Sequence, residues 1–106
     1  LKEGYLMSIL RITVRTFQSE DHANLFLMAG QNVITSQKRD SGLKFNAKII
    51  QNPDQKNQIT SIWEYDDEKH MKEVRDYLSK NNSMPNSLSP KEVVYYGEVK
   101  LDSNNE

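Results

Sequence analysis

One tryptophan, two histidines and five tyrosines are the side chains of this chain best equipped to handle a small organic molecule. Trp63 and Tyr65 fall on alternate positions of the run Ile59–Tyr65, so they share one face of a strand. An indole there can stack on a flat aromatic ligand, and a phenol beside it supplies a polar handle in an apolar pocket. His70 follows in the first turn of an acidic-start helix, where an imidazole could serve as general acid or base. Tyr65 and His70 are therefore the candidate catalytic groups. The candidate substrate-binding groups are Trp63, Tyr95 (expected on the same sheet face as Trp63) and Phe26, on the apolar stripe of the first helix. The simpler reading of the same aromatic residues is ordinary packing, and that of His70 is an exposed or boundary histidine. His22 carries the same ambiguity on weaker grounds.

Other chemistries find little support. The chain has no cysteine, which excludes disulfides, thiolate catalysis and cysteine-based metal sites and fits a reducing, cytoplasmic setting. The two histidines lack metal-ligand spacing, and Asp66, Asp67 and Glu68 are accounted for as favourable charges at a helix N-terminus. Neither a metal nor a cofactor is expected. Only four glycines occur, and none forms a phosphate loop. Net charge is −1, so no global field recruits nucleic acid or anionic lipid. No run approaches the roughly 20 apolar residues of a membrane span.

The elements that must position these groups are legible. Ile9–Thr16 alternates, with Leu10, Ile12 and Val14 opposite Arg11, Thr13 and Arg15. Ser19-Glu20-Asp21 starts a helix that runs to about Arg39, with Phe26, Ala29, Val33 and Ile34 at helical spacing, a stripe widened by Leu25, Leu27 and Met28. Lys38 and Arg39 suit its last turn, and Gly42 suits its stop. Leu43–Ile50 and Ile59–Tyr65 alternate around a polar turn at Asn52–Gln58. Asp66-Asp67-Glu68 opens a second helix with the stripe Met71, Val74 and Leu78. A polar loop, Asn81–Pro90, leads to a fourth strand at Glu92–Leu101. The order β-α-β-β-α-β favours an α+β, ferredoxin-like domain: one antiparallel sheet with both helices on one face.

On that frame the apolar face of each strand is expected to meet the helices. Leu10, Ile12, Val14, Val93 and Tyr95 would then face inward. The outer face would carry Arg11, Thr13, Arg15, Val94 and Tyr96, a mixed surface suited to a partly wet sheet-on-sheet contact. RNA-recognition domains share this element order but put stacking aromatics on the open face of the central strands, where this reading places none.

The same features resemble the antibiotic biosynthesis monooxygenase superfamily of dimeric α+β barrels. The likeness rests on the long first helix ending at Gly42, the strand from Leu43, the polar hairpin, Ile62-Trp63-Glu64 and the acidic-start helix that follows, and it spans about residues 8–101. It implies a homodimer whose sheets face each other with helices outside, and a cavity between sheet and helices in each subunit. It also implies cofactor-independent oxidation of a small aromatic or quinol-type substrate, with Trp63 stacking it. The alternative is a non-catalytic, dimeric small-ligand-binding or scaffold domain of the same fold. Lys72 stands where relatives often carry a histidine, and Ile59 and Thr60 where oxygenases carry an asparagine. The first strand has no asparagine and the second helix no tryptophan, unlike the haem-degrading branch.

Residues 7–101 are expected to form a single domain and 102–106 a flexible tail. Residues 1–6 read either as a short extension or as a translated leader before a start at Met7. Lys2-Glu3-Gly4 can be encoded by a purine run that resembles a bacterial ribosome-binding site.

Overall fold

The computed structural model describes residues 8–42, 44–80 and 88–103. The expected leader, Leu43, most of the Asn81–Pro90 loop and the last three residues lie outside them. Six elements follow in the order expected from sequence: β1 (Ile9–Thr16), α1 (Glu20–Ser41), β2 (Asn46–Gln51), β3 (Gln58–Tyr65), α2 (Glu68–Lys80) and β4 (Lys91–Glu98). The strands form one antiparallel sheet in the order β2-β3-β1-β4. With both helices packed on one face, this is the ferredoxin-like α+β fold.

Local chemistry fixes the element ends. Ser19 is the N-cap of α1: its backbone is extended and its Oγ accepts from the His22 N–H at 3.1 Å. Gly42 ends the helix at φ 73°, a left-handed value that a side chain would strain. Asp67 caps α2, its Oδ1 accepting from the His70 N–H at 2.7 Å. This accounts for the acidic run as helix capping. In the β2–β3 turn Asn52 Oδ1 accepts from the Asp54 N–H at 2.9 Å, an Asx turn. Asn57 joins that turn to the end of β1, since its carbonyl accepts from the Phe17 N–H and its Nδ2 donates to the Phe17 carbonyl, both at 2.8 Å.

Two apolar clusters sit between sheet and helices. Phe17, Ala23, Phe26, Ile59 and Leu88 form one; Phe45, Tyr65 and Val74, with Trp63, Met71 and Leu78 against them, form the other. The stripe expected on α2 is the one that packs. On α1, Ala23, Phe26 and Leu27 pack, whereas Leu25 and Met28 face solvent.

The expected sheet faces hold for β2 and β3 and are inverted for β1 and β4. Directly opposed residues of an antiparallel pair share a face. Arg11 opposes Trp63, Thr13 opposes Ser61 and Arg15 opposes Ile59. Since Trp63 and Ile59 pack beneath the helices, Arg11, Thr13 and Arg15 lie beneath them too. Leu10, Ile12 and Val14 point the other way, beside Ile62, Thr60, Val93 and Tyr95. The reason is register: β1 lies between two strands, and pairing dictates its face regardless of its own apolar pattern. Among the described residues, no helix is long and apolar enough to cross a membrane.

Candidate functional site

Between the sheet and the helices lies a cavity of about 290 Å³, near the lower end of the ~300–1,000 Å³ usual for ligand pockets. Its floor is Arg11, Thr13 and Arg15 of β1 with Ser61, Trp63 and Tyr65 of β3. Phe26, Gly30, Val33 and Ile34 of α1 form one wall, at the spacing of one helical face. Arg75, Leu78 and Ser79 of α2 form another, and Glu92 and Val94 of β4 complete the rim. The site therefore combines an aromatic and aliphatic lining with three guanidinium groups and one carboxylate.

Arg15 is held by two hydrogen bonds and an aromatic ring. Its Nε donates to Glu92 Oε2 at 2.9 Å, a cross-strand pair set by the β1–β4 register. Its Nη1 donates to Ser61 Oγ at 3.0 Å, and its guanidinium lies 5.0 Å from the centre of the Phe26 ring. Arg11 differs. Its Nη1 is buried and has no hydrogen-bond partner among the described residues. Burial, then the like charges of Arg75 and Arg15, hold its pKa below the ordinary arginine value, although a guanidinium remains charged at neutral pH.

Tyr65 is 2% exposed and stands among these charges. Burial pushes the pKa of its hydroxyl above the usual tyrosine value, and the positive charges of Arg75 and Arg11 pull it part of the way back. Its ring is nearly parallel to Trp63, 6.2 Å between centroids and 11° apart, and Trp63 in turn tilts against Phe45 at 5.4 Å. An indole and a phenol thus form a flat wall beside cationic donors. Such a site can stack an aromatic body and hold a negatively charged or strongly polarised oxygen.

Of the candidates named from sequence, Trp63, Tyr65 and Phe26 line the cavity together. Tyr95 is a correction: it opposes Ile12 on the other sheet face and is 70% exposed, because the β1–β4 register puts Tyr96 and not Tyr95 beside Arg11. His70 is placed away from the cavity lining. Its Nδ1 accepts from the Asp66 N–H at 2.9 Å, its Nε2 lies 2.5 Å from the Lys44 carbonyl, and its ring meets the edge of Tyr65 at 5.8 Å. Both ring nitrogens are thereby occupied in tying the start of α2 to the chain before β2. His22 Nδ1 is buried without a partner among the described residues and lies outside the cavity lining.

Sequence reasoning missed Arg11, Arg15, Arg75 and Glu92. A signal for the first two was present: Ile9 and Phe17 bracket Arg11, Thr13 and Arg15 on odd positions, and both are buried.

No family model and no curated protein matches the sequence. Solved structures do match it in fold. A dimeric ferredoxin-like protein from an uncultured marine organism is 19% identical, with 95% of each chain covered and a TM-score of 0.73. A second dimeric ferredoxin-like protein, also from an uncultured marine organism, is 15% identical over 90% of this chain and 97% of that one, with a TM-score of 0.70. A conserved protein from Methanosarcina mazei Go1 is 15% identical over 90% of this chain and 97% of its own, at 0.53. At these identities the likeness is one of fold, and it places this chain among α+β domains of ferredoxin-like topology.

Proposed function

We propose that the chain is a homodimeric α+β barrel of the antibiotic biosynthesis monooxygenase-like type, cytoplasmic, and that each subunit binds a small, partly aromatic molecule in the cavity beside Trp63. The observation that carries the binding reading is the cavity itself: aromatic and aliphatic walls on one side and convergent hydroxyl and guanidinium groups on the other, a composition that can hold a small molecule with an aromatic body and a polar end. Support for the dimer comes from β4 and from the relatives described as dimeric. Val93, Val94, Tyr95 and Tyr96 are all exposed on an edge strand, a surface that lone soluble domains avoid.

Thermal unfolding with a panel of quinols and hydroxylated polycyclic aromatics tests the binding reading. A ligand specific for the folded state at 100 times its Kd stabilises by about 2.7 kcal/mol, so the melting temperature rises for at least one class. An unchanged melting temperature across the panel rejects it.

A second reading, cofactor-independent oxygenation of a quinol-type substrate, is favoured by one arrangement. Arg11, Arg75 and the Tyr65 hydroxyl adjoin the aromatic wall, where guanidinium charge would stabilise a substrate oxyanion. The electron-rich anion would then react with oxygen directly. With His70 engaged at both nitrogens, Tyr65 is the better candidate to orient the substrate or pass a proton. Oxygen uptake above the protein-free rate supports this reading; its absence for every ligand that binds leaves binding alone.

A further inference from the structure

We infer that the cavity selects a carboxylate: Arg11 and Arg75, with the Tyr65 hydroxyl, grip the acid group of a flat aromatic acid whose ring system lies along Trp63. This rests on the binding reading above and adds the chemical class of the ligand.

Charge is the first argument. The chain carries 14 basic against 15 acidic side chains, yet the cavity holds three guanidinium groups and one carboxylate. Glu92 is already paired with Arg15, and among the described residues no carboxylate lies within ion-pair reach of Arg11 or Arg75. Like charges gathered in a half-closed site repel one another, and an anionic ligand relieves that repulsion.

The second argument is hydrogen bonding. The Nη1 of Arg11 is buried and unpartnered, and a buried donor without an acceptor is costly unless a ligand supplies one. The Tyr65 hydroxyl, in the same lining as Arg11 and Arg75, adds an O–H that can donate as well. A carboxylate, which accepts at two oxygens in one plane, matches this donor set. Geometry supplies the third argument. Arg11 opposes Trp63 across the β1–β3 pair, so a head group at Arg11 leaves the attached rings over the indole–phenol wall.

Calorimetric titration with three probes of the same ring system decides the matter: 2-naphthoate, the neutral 2-naphthalenemethanol, and 2-naphthyl phosphate. The acid is expected to bind about tenfold or more tightly than the alcohol, and more tightly than the phosphate. Arg11→Gln and Arg75→Gln should each collapse the preference for acid over alcohol to about twofold or less. Lys72→Gln, which removes a cation paired with Asp76 and outside the cavity lining, should preserve it. Equal binding of acid and alcohol, or a preference unchanged in Arg75→Gln, overturns the carboxylate assignment while leaving the binding reading intact. Tighter binding of the phosphate overturns it in favour of a dianion. Failure of all three probes rejects it together with binding of this ring class. Arg75 is exposed, so its variant and the wild-type comparison suffice even if Arg11→Gln does not fold.

Discussion

At Tyr65 burial and charge oppose each other, and burial dominates. The hydroxyl gives up its proton less readily in the fold than in the unfolded chain, where a tyrosine titrates at about 10. The folded state therefore favours the neutral phenol. Its contribution to stability is complete below about pH 10 and is lost as pH rises towards the higher folded value. Urea unfolding of wild type and Tyr65→Phe should show both consequences. At pH 7 the variant loses about 0.5–1.5 kcal/mol with the polar contacts of the buried hydroxyl. Above pH 10 its stability falls less steeply than that of the wild type. His70 answers a different question. Its two ring contacts are to backbone groups, so His70→Ala should cost about 1–3 kcal/mol for two hydrogen bonds and leave the affinity of a cavity ligand unchanged once the protein is folded. A large loss of affinity in a folded His70→Ala protein would return the imidazole to the site.

At the scale of elements, β3 and α2 were readable from sequence because local pattern and tertiary role agree in them, whereas α1 was readable as a helix but leaves Leu25 and Met28 of its expected stripe in solvent. Ser19, Asp67 and Gly42 are caps by residue type and by observed geometry. The stripe Met71, Val74 and Leu78 packs as its spacing implies. β1 was readable as an element and misleading as a surface. Its greasy face lies on the side of the sheet away from the helices, and its basic face lines the cavity, where long guanidinium side chains cover apolar neighbours with their stems. Alternation reports that two faces differ; only strand pairing says which one the helices cover. The cavity exists partly because α1 carries Gly30 on its buried face. A Cβ there would meet Ile49 Cδ1 at 3.7 Å, an ordinary contact with no clash. Gly30→Ala should raise stability by about 0.5–1 kcal/mol through helix propensity. It should also weaken any cavity ligand by shrinking the space above Ile49. Urea unfolding and calorimetry on the same variant would show the two effects with opposite signs.

For the whole molecule, the inversion of β1 makes the second sheet face more apolar than its sequence pattern suggested. Leu10, Ile12 and Val14 run down its centre, with Ile62 and Ile50 on one side and Val93 and Tyr95 on the other. Both helices pack on the opposite face, so these side chains form a continuous apolar patch on a domain of only 106 residues. A chain of this size buries roughly 60–70% of its unfolded surface and gains proportionately from covering such a patch. A second copy can cover it, because a two-fold contact sets the same patch against itself and matches apolar centre to apolar centre. Lys48 and Glu64 lie on the same face, near its β2 edge, and provide charges of both signs for the rim. Ile12→Glu puts a carboxylate at the centre of this face, far from the helix clusters. The folded subunit should survive the change, with its helical circular dichroism retained. Sedimentation at micromolar concentration should show a dimer for wild type and a monomer for the variant, since an unpaired buried charge costs several kcal/mol per ion and a symmetric contact would bury two. A wild-type monomer under the same conditions would remove the barrel, whereas a variant that stays dimeric would move the interface to another surface, the exposed β4 edge first among them.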